Sequence, residues 1–302
     1  MKGTFFIVGP TAAGKSELAA EVAHRCGGEI VSADAFQIYA GLDLLTAKPE
    51  AKLLRRVPHH LIGTVNPMEE MNAQHFGRRA LAAITEIHAR GKPAFVVGGS
   101  GMYVKAITHG LSPLPPGSGE LRTRLNQLSE GELFIRLRDL DPKTSRTIDA
   151  RNKRRLVRAL EIYLLTGRPA SEQRTLVAPT IAPAGIFVLR DRTELYRRIN
   201  ERVEAIFAQG VVDEVRAATN VGPTAAMTLG WQAIRDLIAG RISKAECVAF
   251  IQRATRHYAK RQLTWFQRQT SFESLNLSLH GAPEAIELIS QKARLSFAQQ
   301  DV

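Results

Sequence analysis

Phe5-Phe6-Ile7-Val8-Gly9-Pro10-Thr11-Ala12-Ala13-Gly14-Lys15-Ser16-Glu17-Leu18-Ala19-Ala20 decides how the chain is read. Gly9, Gly14, Lys15 and Ser16 hold the fixed places of G-x-x-x-x-G-K-[ST], behind an apolar run and ahead of helix-forming residues. A phosphate loop needs that context: a buried strand, a loop whose backbone N–H groups wrap an anion, then a helix with its positive N-terminus toward the anion. On this reading Gly9, Pro10, Thr11, Ala12, Ala13, Gly14, Lys15 and Ser16 cradle phosphate, Lys15 neutralises its terminal group and Ser16 binds Mg²⁺. The loop identifies a phosphate and not a reaction; alone it suggests ATP.

Working outward, short apolar runs recur between helical patterns at Thr4 to Val8, Glu29 to Val31, His60 to Val65, Ala94 to Val97 and Ile186 to Leu189. Strands alternating with helices predict an α/β fold of the P-loop NTPase type, a parallel sheet with helices on both faces. Ligands of such sheets bind at the carboxyl ends of the strands. The candidates are therefore the phosphate loop, Ser32-Ala33-Asp34, Gly98-Gly99-Ser100-Gly101 and Arg190-Asp191-Arg192.

Between the fourth and fifth runs, residues 112–184 read as a small all-helical insertion, with 1–111 and 185–302 forming the core domain. Turn-rich Leu111-Ser112-Pro113-Leu114-Pro115-Pro116-Gly117 leads into helical patterns over about 120–140 and 152–166, the second stopped by Gly167-Arg168-Pro169. Flexible segments are expected where the chain enters and leaves it. After Leu189 the pattern is helical nearly to the end, and Ser243-Lys244-Ala245-Glu246 is a capping box opening a helix to about Gln269. Arg253, Arg256, His257, Lys260, Arg261 and Arg268 fall within an arc of roughly 140° on it, opposite Val248, Ile251, Tyr258, Ala259, Leu263 and Phe266. One face packs; the other is either a solvated surface or a cationic docking face.

With 41 Lys and Arg against 29 acidic residues, the 302-residue chain carries a formal charge of +12. That favours a polyanionic partner without requiring one, since enzymes of small phosphorylated substrates are also basic. Cys26 and Cys247 match no metal-ligand spacing, which excludes a zinc finger and suits reduced cytosolic thiols. The sequence carries no export signal and no membrane span, so a cytoplasmic protein without membrane association is expected.

Several residues could do chemistry. Asp34, after the second strand, either binds metal through water, acts as a general base on a nucleophile beside the bound phosphate, or caps the following turn. Gln37 has a donor and an acceptor that suit a base edge. Ser100 lies in a glycine-rich turn that brings backbone close to a ligand, or is merely a tight strand-to-helix connection. Arg216 either meets the ligand or pairs with Asp213 or Glu214. His59 and His60 lack further metal ligands and are taken as structural.

Taken together, these stretches resemble the bacterial tRNA dimethylallyltransferases, also called tRNA isopentenyltransferases, of the IPP transferase family. Gly9-Pro10-Thr11-Ala12-Ala13-Gly14-Lys15-Ser16 is similar to the family's GPTASGKT, and Ser32-Ala33-Asp34-Ala35-Phe36-Gln37-Ile38-Tyr39 to its SADSMQVY. Thr46-Ala47-Lys48-Pro49, Pro58-His59-His60-Leu61-Ile62, Val97 to Tyr103, Arg154 to Glu161, Gly210 to Arg216 and Tyr258 to Phe266 follow in the family's order. Ser100 stands where the family has Thr, Gly63 where it has Asp, and Leu229-Gly230-Trp231-Gln232 varies IGY[KR]E.

The resemblance implies that the loop holds the diphosphate of dimethylallyl diphosphate with Mg²⁺, while the anticodon stem-loop of tRNA delivers the adenosine beside the anticodon. It implies Asp34, Arg216, Thr11 and Lys15 as catalytic residues. It also implies Asp34, Ala35, Phe36, Gln37, Ser100, Arg122, Arg154, Arg155, Leu156, Val157 and Arg158 as tRNA contacts, with the insertion closing over the anticodon arm; a monomer is expected. The alternatives are a P-loop small-molecule kinase, a prenyltransferase acting on free adenine nucleotides, and a non-catalytic RNA-binding protein that senses nucleotide.

Overall fold

The computed structural model describes residues 3–173 and 183–298. The chain forms two compact units, Met1–Thr108 with Pro179–Val302, and His109–Ala178, against the 112–184 insertion read from the sequence. The segment by which the chain was expected to leave the insertion, 174–182, lies outside the described residues.

The first unit opens with β1 (Thr4–Val8), α1 (Lys15–Arg25), β2 (Glu29–Ser32), α2 (Ala51–Arg56), β3 (His59–His60), α3 (Ala73–Ala89), β4 (Ala94–Gly98) and α4 (Gly101–Thr108). The second unit holds α5 (Gly119–Asn126), α6 (Glu130–Leu140), α7 (Pro142–Ser145), α8 (Lys153–Thr166) and α9 (Ala170–Gln173). The first unit resumes with β5 (Ala184–Leu189), α10 (Arg192–Ala208), α11 (Val211–Ala217), α12 (Trp231–Ile238), α13 (Lys244–Gln269), β6 (Glu273–Asn276) and α14 (Ala282–Ala298).

Among the described residues the strands make one sheet in the order β3-β2-β4-β1-β5-β6, with every pairing parallel. The period-2 alternation of side chains sorts its residues onto two buried faces. Phe5, Ile7, Ile30, Phe95, Val97, Ile186 and Val188 pack with Leu18, Ala19 and Ala23 of α1 and Ala285 and Ile289 of α14. Phe6, Val8, Val31, Val96 and Phe187 pack with Phe76 and Ile84 of α3, Val211 of α11 and Phe266 of α13. The register places Val8 opposite Gly98 and Phe187, and Ser32 opposite Val97, so the segments after β1, β2, β4 and β5 emerge along one edge.

Two strand expectations need correction. His60 to Val65 is not a strand: only His59–His60 pairs with β2, and Val65 makes an isolated bridge to Tyr39. Positive φ at Leu61 (62°) and Gly63 (61°) turns the chain there. A further strand, β6, follows α13 on the outer side of β5, in a stretch read as helical.

In the second unit the expected 120–140 helix is two helices. Ser129 interrupts it as the N-cap of α6, accepting from Glu132 N while Glu132 Oε2 accepts from Ser129 N at 2.8 Å. Leu125, Leu133, Leu137, Leu156, Val157 and Leu160 form this unit's own core. Buried Asp141 caps α7, accepting from Thr144 N and Oγ1, and ties in α9 through Ser171 N and Oγ at 3.0 and 2.7 Å. Among the described residues no helix is long and apolar enough to cross a membrane.

Candidate active site

The phosphate loop folds as its sequence requires. Gly9 has no room for a side chain, since a Cβ would sit 2.2 Å from the Val188 carbonyl oxygen, and its N–H donates to Gly98 O at 3.2 Å. Gly14 caps α1 at φ 91°, a left-handed conformation that glycine adopts without strain. No side chain caps α1, so its first-turn N–H groups are those a bound anion would satisfy. Ala12 also takes positive φ, at 65°, and its carbonyl accepts from Arg198 Nε at 2.9 Å. The next carbonyl, Ala13 O, accepts from Arg190 Nε at 2.9 Å. Two arginines thus hold the loop by its carbonyls, Arg198 being itself part of the cavity lining.

A cavity of about 500 Å³ opens over the loop, lined among others by Thr11, Lys15, Ser16, Asp34, Gln37, Arg198, Arg202 and Gln262. Burial pushes the Lys15 ammonium down to about 8, against the raising pull of Asp34 and with Arg202 lowering it further. Its Nζ donates to Pro10 O at 2.7 Å. Burial likewise lowers Arg202, opposed by Asp34 and reinforced by Arg198. Lys15, Arg198 and Arg202 crowd into one space, and an anion entering it would relieve their repulsion.

Asp34 caps the following turn and lines the cavity. Its Oδ1 accepts from Phe36 N at 2.9 Å and Gln37 N at 3.3 Å, capping the turn, while Oδ2 has no hydrogen-bond partner among the described residues and stands in the cavity wall. Ser100 is buried, and its Oγ accepts from Ala35 N at 2.9 Å, joining the β4 turn to the Asp34 turn. Gln37 lines the cavity, but its Nε2 already donates to Thr46 O and Ala47 O, at 3.4 and 3.0 Å. His60 is paired with buried Glu29, whose carboxyl the Arg90 hydrogen bond holds at about 2 despite its burial.

Arg216 is not brought to the cavity. It is exposed on α11 and ion-paired with Asp213, the sequence's second reading of it. Glu214, two residues earlier, accepts from Leu44 N and Leu45 N at 2.8 Å each and so fixes a wall of the cavity. In the second unit Arg122 and Arg158 both pair with Glu161, whose side chain is 0% exposed, at 2.9 and 2.5 Å, while Arg154 and Arg155 are exposed. The side chains of Leu156 and Val157 lie in that unit's core and present nothing to a partner.

Sequence reasoning missed Arg198, Arg202 and Gln262. Arg198 and Arg202 stand one turn apart on α10, a spacing that solvated helix faces share, so the pattern alone carries little. Gln262 left a clearer signal: an amide on the packed arc of α13, between Ala259 and Phe266. It is 5% exposed, accepts from Thr11 N and donates to Gly99 O, both at 2.9 Å.

A parallel sheet with the G-x-x-x-x-G-K-S loop at its carboxyl edge, a cationic cavity above the loop and one half-free carboxylate beside it define an α/β fold of the P-loop type with a candidate anion site. The family model described as IPP transferase matches residues 37–269, and the chain belongs to that family. It is 44% identical to a "tRNA dimethylallyltransferase 2" of Geotalea uraniireducens over 87% of this chain and 88% of that protein. It is 42% identical to the "tRNA dimethylallyltransferase" of Geobacter sulfurreducens over 88% and 89%. Among solved structures, the full-length tRNA isopentenylpyrophosphate transferase of Bacillus halodurans is 32% identical and superposes with a TM-score of 0.74, covering 100% of this chain and 98% of that one. A eukaryotic dimethylallyltransferase acting on tRNA, 23% identical, shares the fold with a TM-score of 0.73 over 90% of this chain and 73% of its own.

Proposed function

We propose that the chain transfers the dimethylallyl group of dimethylallyl diphosphate to the exocyclic N6 amine of the adenosine beside the anticodon of tRNA, releasing diphosphate. The observation that carries this is the cavity itself. Loop N–H groups, Lys15, Arg198 and Arg202 suit a diphosphate, Asp34 Oδ2 suits an acidic proton, and about 500 Å³ has room for an allyl group and a purine together.

The amine is a weak nucleophile because its lone pair is delocalised into the ring. The allylic carbon must therefore become cationic as its bond to the diphosphate oxygen breaks, the electron pair leaving with diphosphate. The nitrogen lone pair forms the new N–C bond, and Asp34 accepts the proton the amine gives up. Lys15, Arg198, Arg202 and the loop amides stabilise the charge growing on the leaving group. Mg²⁺ suits the donors present: the Ser16 hydroxyl and the Asp34 carboxylate line one cavity, and this ion keeps most of its waters and binds through few protein ligands plus substrate phosphates. When bound it would add charge stabilisation at the diphosphate oxygens. Among the described residues no cluster of three His, Cys, Asp or Glu side chains supplies a fuller cage.

In this reading tRNA is held through its phosphates. The exposed side chains of Arg253, His257, Lys260, Arg261 and Arg268 of α13 serve there, as do Arg122, Arg154, Arg155 and Arg158 of the second unit, with Ala35, Phe36, Gln37 and Ser100 near the incoming base. The test is incubation with Mg²⁺ and labelled dimethylallyl diphosphate, with unmodified tRNA or AMP as acceptor, and separately with ATP. Label entering tRNA is expected; label in AMP only, or ATP consumption with no label in tRNA, would overturn the proposal. Asp34→Ala should abolish transfer while leaving tRNA affinity within about tenfold, because it removes a base and not a phosphate-binding group.

A further inference from the structure

Three turns must hold a fixed spacing for the reaction: the phosphate loop after β1, the Asp34 turn after β2 and the Gly98-Gly99-Ser100 turn after β4. They approach too closely for side chains of their own. A Cβ on Gly98 would lie 2.2 Å from Ala33 O, and one on Gly99 would lie 2.9 Å from Gly9 O and 2.3 Å from Gln262 Nε2. The gap between the first and third turns is filled by the carboxamide of Gln262, which reaches in from α13. It accepts from Thr11 N on one side and donates to Gly99 O on the other.

One helical turn earlier on the same helix, the Tyr258 hydroxyl is close enough to the side chains of Ser100 and Gln262 for both to favour its ionised form. Ser100 Oγ in turn accepts from Ala35 N, the residue after Asp34. Burial first, then the Asp34 charge, push the Tyr258 phenol well above its ordinary value, which keeps it a neutral hydrogen-bonding group. Hydrogen bonds thus join the phosphate loop to the Gly99 turn through Gln262, and Ser100 to the Asp34 turn, with the Tyr258 hydroxyl beside both Gln262 and Ser100.

We infer that Gln262 and Tyr258 are positioning residues for the transfer step: one face of α13 sets the distance between the diphosphate cradle and the Asp34 base. This rests on the prenyl-transfer reading above. Neither side chain is asked to touch the reacting atoms; they act through Thr11, Gly99 and Ser100. The assignment also gives α13 two jobs, since Arg253 and Lys260 are exposed on it while Gln262 is buried against the turns.

The discriminating variants are Gln262→Met, which keeps length and apolar packing while losing both hydrogen bonds, and Tyr258→Phe, which removes one hydroxyl. Each is assayed for kcat, for KM of both substrates and for thermal midpoint, beside wild-type enzyme whose own transfer to tRNA tests the parent reading. Gln262→Met should lower kcat by about 10- to 100-fold with both KM values within about threefold, as expected when reacting groups are held slightly out of place. Tyr258→Phe should lower kcat by about three- to tenfold in the same pattern. Gln262→Glu, which retains the acceptor for Thr11 N, should recover part of the loss. A lower thermal midpoint with kcat unchanged would make both residues structural only and overturn the inference. A loss confined to KM would make them binding residues and do the same. If Gln262→Met does not fold, Tyr258→Phe decides alone: an unchanged kcat overturns the assignment.

Discussion

Lys15 shows how a single side chain links the phosphate loop to solution conditions. Its ammonium is held at about 8 in the folded chain, against 10.5 ordinarily, chiefly by burial. Between those values the unfolded chain binds the proton that the folded chain lacks. The cost of charging Lys15 is therefore fully present below about pH 8, shrinks as pH rises toward 10.5, and is absent above it. Stability of the ligand-free protein should rise through that window relative to Lys15→Met. Diphosphate reverses the balance by favouring the ammonium. Affinity for dimethylallyl diphosphate should accordingly fall by up to about tenfold per pH unit well above pH 8, and binding at pH 8.5 should take up a proton. Calorimetry in two buffers of different ionisation enthalpy measures that uptake directly. Identical apparent enthalpies in both would show that Lys15 is already charged, or that it does not meet the ligand.

At the scale of elements, α13 is the most informative helix, because its two faces answer to different physics. Arg256, grouped with the basic face from its angular position, is half-buried: it donates to Asn200 Oδ1 at 2.7 Å and lies 5.9 Å from the Tyr196 ring centre. Arg253 and Lys260, seven residues apart and so nearly in line, are exposed and make no ion pair among the described residues. Replacing those two with Ala should reduce the slope of log affinity for tRNA against log salt by about 0.7 to 0.9 for each phosphate they neutralise. An unchanged slope would leave them as an ordinary solvated face.

What the sequence made legible follows the same division. The strands with two buried faces, such as Phe5 to Val8 and Ala94 to Val97, declared themselves because every residue is apolar. Edge strand β6, Glu-Ser-Leu-Asn, buries only Leu275 and offers no such run. The phosphate loop was readable because it is contiguous. Its clamps, Arg190 and Arg198, and its strut, Gln262, come from distant parts of the chain; only Arg190 was signalled, by its place after a strand. Arg216 illustrates the converse: its position in a recognisable stretch suggested a site residue, while the side chain pairs locally with Asp213.

For the whole molecule, two units with separate cores suggest two separable stabilities. Every residue lining the cavity over the loop belongs to the first unit. A ligand stabilises only the fold that binds it, so at 100 times its Kd dimethylallyl diphosphate with Mg²⁺ should add about 2.7 kcal/mol to the first unit. For a unit of that size this is a rise of about 5–10 °C in its midpoint. The second unit hangs on its own buried charge. Burial works against ionised Glu161, but hydrogen bonds from Arg158, Ser118 N and Arg122 more than offset this and hold its carboxyl below the usual range. That contribution is present at neutral pH and lost as pH falls through the lowered value. Glu161→Gln should cost about 1–2 kcal/mol, less than a fully buried pair because both guanidiniums reach solvent. Scanning calorimetry of wild type and variant, with and without ligand, should resolve two transitions: ligand moves one, the substitution moves the other. If the ligand shifted both together, the units would unfold as one cooperative block.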